Sequence, residues 1–461
     1  MDKYDIEPTK VNLINSIQKD ITGRNQSLEN LIRLLNRQND SWSIAINGSW
    51  GSGKTFFVKQ CKLMLDSLSM ESNDANTDII TTRTQLFSNE ELQELQNKPF
   101  RTAYYDAWEH DNDGDPIVSI LNCLAATHWS NEVKETLIKT IDIGIEIVNA
   151  TAPIKLPKLR ELIQYSKKQD IEKIKEQFNH VLSKLAPENG QLIIFIDELD
   201  RCKPTYAVQL LERIKHYFSN PKISFIFSVD ISQLQNTIKR YYGPQFDGIQ
   251  YLDRFFDLVI TLPEADIEKY FDNTQGILKV DEIFGTGYNV KNNWYHSYCK
   301  ELIKHFNFSI RQINHFYLRA NSASYNLISK NINAPSWGEV DGEFILVTFF
   351  LPFMIALGES NIEIYQRFIK GNADSDILNI IADNRIFMEY LANMLDDKSK
   401  VSEINGTVIK EIYEGIFSDK ELKDNIVKIS QKCCIECILQ NRSTQLCNII
   451  IHSCVMKKAI V

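Results

Sequence analysis

Apolar residues are distributed along this chain in two patterns, one typical of buried strands and one typical of helices. Short runs that are continuously apolar and rich in β-branched residues predict strands covered on both faces. Apolar residues that recur every three or four positions predict helices between those runs. The predicted strands are Ser43–Asn47, Thr102–Trp108, Leu192–Ile196 and Ile223–Val229.

Predicted helices separate these strands along most of the first 265 residues. Because strands that alternate with helices form parallel sheets, the pattern predicts an α/β fold. From about residue 265 onward, strand patterns fade and helical ones dominate, which predicts an α-helical C-terminal region. The main predicted helices before that point are 10–39, Phe56–Leu68, Ile117–Thr127, Val133–Val148, 171–185 and Ala207–Phe218.

Composition places the chain among folded proteins with large cores. Its 461 residues are 43% hydrophobic, and its net charge of -9 makes the surface a poor partner for bulk nucleic acid or anionic lipid. The acidic start, Met1–Pro8, lacks the pattern of a secretory signal, and nine cysteines without small-scaffold spacing fit reduced thiols. We therefore expect a cytoplasmic protein. The most apolar run, Phe344–Leu357, is shorter than the ~20 residues that span a bilayer, so we expect a buried helix and no membrane partner.

The turn after the first strand carries the strongest motif. Gly48-Ser49-Trp50-Gly51-Ser52-Gly53-Lys54-Thr55 fits the phosphate-binding pattern G-x-x-x-x-G-K-[ST] at every fixed position. Its glycines let successive N–H groups point at phosphate oxygens, and the start of the following helix at Phe56 adds positive potential. We expect Lys54 to reach the β and γ phosphates and Thr55 to bind Mg²⁺.

Two carboxylates follow the predicted strand Leu192–Ile196. Open α/β sheets bind ligands at the carboxyl ends of their strands, where Asp197 and Glu198 lie. We expect Asp197 to hold Mg²⁺ and Glu198 to orient and polarise the attacking water. The alternative is that the acids cap the helix that begins near Pro204. Many GTPases recognise guanine with the pattern Asn-Lys-x-Asp. The nearest segment here, Asn97-Lys98-Pro99-Phe100, lacks the aspartate, so we expect the chain to bind ATP rather than GTP.

Four segments together resemble the KAP family of P-loop NTPases, a branch of the STAND-type ATPases. They are the phosphate-binding loop, Tyr104–His110, Ile196–Pro204 and Tyr251–Asp257. The resemblance covers about residues 20–325. It implies a parallel-sheet P-loop NTPase core with a long helical insertion, followed by an α-helical C-terminal region.

The resemblance also implies a domain plan. Family members have a long insertion between the loop and the acidic strand, and here Thr55 and Asp197 stand 142 positions apart. Because charged residues interrupt 127–165, the chain resembles members without transmembrane helices. The domains implied are an α/β domain at 1–265, mostly helical at about 110–190, a helical lid at 266–330 and a helical domain at 331–461.

Further site residues follow from the resemblance alone. Asp230 matches a polar residue that senses the γ-phosphate. Arg254 corresponds to an arginine that reaches phosphate in its own subunit or in a neighbouring one, and Arg311 to a lid arginine that touches nucleotide. For Arg254 and Arg311 the alternative is a surface ion pair. We expect Arg201 to pair with Asp200 rather than to bind phosphate.

Cysteine and tryptophan side chains offer other interpretations. Cys434 and Cys437 have the spacing of half a zinc site, with Cys447 and His452 as completing ligands, although cysteines on an apolar helix also simply pack in a core. Cys202 is a conceivable nucleophile that the resemblance makes a packing residue. Among the tryptophans near the loop, Trp50 is a candidate contact to a base or another subunit, whereas Trp42 and Trp108 are expected to pack in the core.

These observations predict an ATPase that acts as a switch. Nucleotide binding would close the helical lid through Arg311 and control the binding of a separate protein effector or sensor, or assembly into a homo-oligomer. The resemblance to members without membrane helices favours a role in bacterial antiphage defence. Two alternatives are a scaffold that binds ATP without useful turnover, and a motor or clamp that nucleic acid stimulates.

Overall fold

The computed structural model of the chain describes residues 7–68, 77–127, 131–151, 160–274, 294–328, 346–394, 409–410 and 413–414. The chain divides into two compact units, one that extends to Lys269 and one that contains Tyr270 and the residues after it. The first unit is built on a β-sheet and the second is helical.

Five parallel strands form the sheet of the first unit, in the order β2-β3-β4-β1-β5. The predicted α/β fold is therefore confirmed. Because every pairing is parallel, all strands end at the same edge of the sheet, and β4 separates β1 from β3 there. The strands are β1 (Ser43–Asn47), β2 (Phe100–Asp106), β3 (Gln191–Asp197), β4 (Ile223–Val229) and β5 (Leu258–Thr261).

Helices cover both faces of this sheet. Alternate residues of the central strands point to opposite faces, so Ile194 and Phe227 pack in one core and Ile193 and Ile226 in the other. This two-sided burial explains why β3 and β4 are apolar runs rather than alternating ones. The helices are α1 (Lys10–Gln18), α2 (Asn25–Arg37), α3 (Lys54–Leu68), α4 (Thr77–Leu86), α5 (Asn89–Asn97), α6 (Pro116–Ala126), α7 (Asn131–Thr151), α8 (Arg160–Ser183), α9 (Pro204–Tyr217), α10 (Ile231–Tyr242), α11 (Gly248–Leu252) and α12 (Ile267–Thr274).

The stretch 10–39, predicted as continuously helical, is two helices. Asp20 (φ 47°) and Gly23 (φ 68°) take the left-handed conformation between α1 and α2, which ends the first helix. The turn matters for the site, because it places Arg24 at the start of α2, close to the phosphate-binding loop.

The second unit contains a bundle of short helices. Its apolar run is buried from Phe349 to Leu357, so the prediction of a buried helix is confirmed over the described part of that run. In the portions of the chain that the structure describes, no helix is both long and apolar enough to cross a membrane. The elements of this unit are the helices Trp294–His305, Ile310–Ile328, Leu351–Ser360, Ile362–Ile369, Ser375–Ala382 and Arg385–Met394, and a π-helical turn Leu346–Phe350.

Candidate functional site

The loop Gly48–Thr55 connects β1 to α3 and needs its glycines. Gly51 (φ 79°) and Gly53 (φ 90°) adopt the left-handed conformation that other residues rarely take. A Cβ atom on Gly48 would lie 2.8 Å from Ser52 Oγ. The three glycines of the motif therefore serve the tight path of the backbone that a phosphate cradle requires.

Lys54 begins α3, and its side chain turns back along the loop. Its Nζ donates hydrogen bonds to the carbonyl oxygens of Gly48 (2.7 Å) and Ser49 (3.2 Å). Burial lowers the pKa of Lys54, while the carboxylates of Asp200, Asp230, Glu198 and Asp197 act in the opposite direction. The lysine of the loop therefore lies within electrostatic reach of the acids that follow β3 and β4.

Arg24 connects the N-terminal segment to the loop, and no sequence motif pointed to this arginine. Its guanidinium donates to the carbonyl oxygens of Ser52 (2.7 Å) and Pro263 (2.9 Å). Arg24 is only 4% exposed, and burial lowers its pKa to about 10. Ser52 Oγ is also buried and has no hydrogen-bond partner among the described residues, so it is available to a phosphate oxygen.

Asp197, the last residue of β3, is buried and held by two donors. Tyr104 Oη donates to its Oδ2 (2.7 Å), and the N–H of Glu198 donates to its Oδ1 (3.0 Å). Together with the Thr55 hydroxyl, this carboxylate offers the oxygen ligands that Mg²⁺ prefers. No group of three or more His, Cys, Asp or Glu side chains suited to a metal occurs within the described ranges. The residues fit an ion that takes one or two protein ligands and completes its shell with phosphates and water.

Glu198 has a strained backbone, since its φ of 60° is left-handed. Its carboxylate forms an ion pair with Nε of Arg201, and the Glu198 side chain is 19% exposed. Burial, followed by the charge of Asp197, raises the pKa of Glu198 to about 7, and Arg201 opposes this rise. A carboxylate with a pKa near neutrality can accept a proton from water, which is what a general base requires.

Asp200 and Arg201 have other partners than expected. Asp200 Oδ2 accepts a hydrogen bond from Trp50 Nε1 (2.5 Å), and Arg201 pairs with Glu198. The expected ion pair between Arg201 and Asp200 was therefore wrong. So was core packing for Trp108, which lies 53% exposed beside Arg201, whereas Trp42 packs against the core of one sheet face.

Asp230 follows β4 and caps α10, because its Oδ1 accepts a hydrogen bond from the N–H of Gln233 (3.2 Å). Asn47 Oδ1, at the end of β1, accepts one from the N–H of Ile231 (3.0 Å). The end of β4 is therefore fastened to the strand that leads into the loop. This brings Asp230 to the sheet edge where the loop and Asp197 lie, and its role toward the γ-phosphate stays a prediction.

Arg254 lies close to the amino ends of the strands rather than their carboxyl ends. It precedes β5, and the N–H of Asp257 donates to the carbonyl oxygen of Ser43 at the start of β1 (2.8 Å). Asp257, three residues after Arg254, therefore lies beside the start of β1, whereas the loop follows the end of this strand, about 16 Å away. Arg254 is exposed and forms no ion pair with the residues that the structure describes.

Three further candidates came from the sequence: Arg311, Cys202 and the cysteine and histidine residues near the end of the chain. Arg311 is the second residue of the helix Ile310–Ile328 in the second unit, and its contact with nucleotide stays a prediction. Cys202 is buried, which raises its pKa and keeps the thiol protonated. The zinc interpretation concerns residues beyond the described part of the chain: Cys434, Cys437, Cys447 and His452.

Comparison with known proteins identifies a family for most of the chain. The family described as the KAP family P-loop domain matches residues 24–322. None of the curated proteins matches the sequence. A solved structure of the Aeropyrum pernix ORC2 protein, with its ADPNP–ADP complexes, has 13% sequence identity and a TM-score of 0.34 over 95% of each chain. Similarity of that degree supports no argument about this chain.

Proposed function

Since the chain belongs to the KAP family of P-loop NTPases, we propose that it binds ATP with Mg²⁺ and hydrolyses it as a molecular switch. The observation that carries this proposal is the meeting of Gly48–Thr55 with Asp197 and Glu198 at one sheet edge. Two strand spacings separate β1 from β3, since β4 lies between them. This distance of about 10 Å leaves room for a terminal phosphate and a water molecule between Lys54 and Glu198.

Each residue would contribute a separate interaction. The N–H groups of the loop and the Ser52 hydroxyl would bind phosphate oxygens, and Lys54 would exchange its carbonyl partners for the β and γ phosphates. Thr55 and Asp197 would ligate Mg²⁺, which supplies charge neutralisation to the phosphates. Glu198 would orient the attacking water and accept its proton.

ATP rather than GTP is proposed because the chain lacks the Asn-Lys-x-Asp pattern of guanine recognition. The switch would act by favouring one conformation when the γ-phosphate is present, since only differential contacts to the two nucleotide states can shift a population. We propose that the output is binding of a protein effector or sensor, or assembly of further copies of the chain. Antiphage defence is the biological role that the family resemblance favours.

The test uses two variants and one control. Lys54→Ala removes the cation expected at the phosphates and should abolish tight ATP binding. Glu198→Gln keeps the shape of the side chain but removes the base, so it should retain ATP and lose about 10²-fold or more in kcat. Lys62→Ala, which removes a lysine paired with Asp66 on the surface of α3, is the matched control.

Calorimetric titration of ATP and phosphate release measured on the same preparations distinguish the outcomes. Equal ATP affinity in the wild type and Lys54→Ala would refute nucleotide binding at this loop. ATP binding without turnover by the wild type would favour the scaffold. Hydrolysis that rises steeply on addition of DNA or RNA at low salt would favour the motor or clamp.

A further inference from the structure

Two exposed tryptophans flank one arginine at the acid end of β3. The guanidinium carbon of Arg201 lies 5.6 Å from the ring centroid of Trp50 and 5.5 Å from that of Trp108. Trp50 is 47% and Trp108 53% exposed, so both rings retain large solvent-facing surfaces. Because aromatic faces attract a guanidinium within about 6 Å, the two rings hold Arg201 between them.

The same arginine forms an ion pair with Glu198, through Arg201 Nε and Glu198 Oε2. The side chains are 23% and 19% exposed, so solvent screens this pair less than a pair on the open surface. The attraction between these opposite charges is strongest when Oε2 of Glu198 lies close to Nε of Arg201. The ion pair therefore restricts the orientation of the Glu198 carboxylate.

Hydrogen bonds fix the backbone that carries Trp108 and the ring of Trp50. The N–H groups of Trp108 and Glu109 donate to Asp106 Oδ1 (3.0 and 3.1 Å), which sets the turn that carries Trp108. Trp50 Nε1 donates to Asp200 Oδ2 (2.5 Å). Because Trp50 belongs to the phosphate-binding loop, the loop is connected to Glu198 through Arg201.

We propose that Arg201 is a positioning residue for ATP hydrolysis, which holds the Glu198 carboxylate in the orientation that the attacking water requires. Trp50 makes this orientation depend on the conformation of the phosphate-binding loop. The inference rests on the proposed function, because it assigns Arg201 to the same hydrolytic site. Its physical basis is that a base displaced by about 1 Å from its productive geometry loses much of its effect.

The first experiment compares Arg201→Ala and Arg201→Lys with the wild type in steady-state ATP hydrolysis. Arg201→Ala should lower kcat about tenfold or more and leave KM for ATP within about twofold, because the arginine acts on the base rather than on the nucleotide. Arg201→Lys restores the positive charge and should recover part of the lost kcat. The matched control is Arg240→Ala, which removes an exposed arginine from α10 and should leave kcat unchanged.

The second experiment separates the two contacts of Trp50. Trp50→Phe keeps a ring near Arg201 but removes the donor to Asp200, whereas Trp50→Leu removes both. If the ring matters through Arg201, Trp50→Leu should lower kcat more than Trp50→Phe, and Trp108→Leu should lower it as well. Because Trp108 is exposed, its replacement also tests the inference if Arg201→Ala does not fold.

Three results would overturn the role of Arg201. An unchanged or increased kcat in Arg201→Ala would mean that the ion pair is dispensable or restrains Glu198. A raised KM with unchanged kcat would mean that Arg201 contacts the nucleotide. Loss of ATP affinity in parallel with melting temperature would indicate a structural role. Absence of hydrolysis by the wild type would overturn the proposed function as well, whereas wild-type hydrolysis that depends on Glu198 but not on Arg201 would overturn this inference alone.

Discussion

Tyr104 determines how Asp197 is presented to a metal ion. Its hydroxyl donates to Oδ2 of that carboxylate, and the Nζ of Lys59 lies 4.5 Å from the centroid of its ring. Groups that hold a metal ligand in place commonly change metal affinity 10- to 100-fold when they are removed. Tyr104→Phe removes only the hydroxyl, so it isolates this contribution.

We expect Tyr104→Phe to raise the Mg²⁺ concentration for half-maximal ATP hydrolysis about tenfold. The carboxylate of Asp197 loses one donor and gains rotational freedom, while the ring under Lys59 is retained. A Mg²⁺ titration of phosphate release at saturating ATP measures the change. Tyr241→Phe, on an exposed tyrosine, is the control. The same Mg²⁺ midpoint in both variants would argue against Asp197 as a metal ligand.

Residue partners were harder to predict than residue types. The spacing of the loop motif predicted Lys54 as a site residue, and the position after a buried strand predicted Asp197 and Glu198. The partner of Arg201 could not be predicted, because it depends on the left-handed backbone at Glu198, which turns that carboxylate toward the arginine rather than along a helix. The exposure of Trp108 depends likewise on a turn set by Asp106.

Among the elements of the fold, the start of α2 is fastened to the loop through Arg24. The guanidinium of Arg24 donates hydrogen bonds to the carbonyl oxygens of Ser52 and Pro263. In the described part of the chain, no carboxylate forms an ion pair with it. Loss of the arginine would leave both oxygens unsatisfied, at about 1–3 kcal/mol each, although the cost of burying a cation would be recovered. The unsatisfied carbonyl oxygens lower the free energy of unfolding, and the absence of a buried cation raises it. The loss of the contact to the loop has no such compensation.

Arg24→Met should therefore weaken ATP binding about fivefold or more while changing the free energy of unfolding by only about 2 kcal/mol. The loop would lose the contact that holds Ser52. Part of the free energy of ATP binding would then be spent on ordering the loop. Calorimetric titration with ATP and urea denaturation measure the two quantities. Arg37→Met, at the exposed other end of the same helix, is the matched control. Unchanged affinity in Arg24→Met would show that the loop is held without it.

The strands differ in how well their sequences predicted them. β1 and β4 have the predicted bounds, and β3 is longer by one residue at each end, because continuous apolar runs in a two-sided core leave little ambiguity. β5 was not predicted, since it is short and pairs along one side only. The break between α1 and α2 was signalled by Gly23, but a helical period on both sides concealed it.

On the scale of the whole molecule, Arg254 lies near the start of β5, whereas the phosphate-binding loop follows the end of the neighbouring parallel strand β1. The family resemblance left open whether this arginine acts in its own subunit or in a neighbouring one. Arg254 precedes β5, near the amino ends of the strands, whereas the loop lies at their carboxyl ends. This position favours action in a neighbouring subunit. We therefore propose that an oligomer is the hydrolytically active form.

A mixing experiment tests this proposal. Arg254→Ala and Glu198→Gln should each hydrolyse ATP slowly when assayed alone. When the two are mixed, some sites would combine an intact Glu198 with an intact Arg254 from the neighbouring subunit, so phosphate release should recover. Mass photometry with and without ATP and Mg²⁺ gives the assembly state. An Arg254→Ala variant as active as the wild type, or a mixture no more active than its components, would contradict action across subunits.

The order of the strands also has a consequence for synthesis of the chain. Among the strands of the described ranges, β1 pairs only with β4 and β5, and β2 pairs only with β3. β1 ends at Asn47 and β4 begins at Ile223, so a ribosome that adds about 5–20 residues per second would take roughly 9 to 35 s between them. During that time the nascent polypeptide carries an apolar strand with unpaired edges, which is a hazard for aggregation. Translation speed and chaperone supply should therefore influence the yield of folded protein.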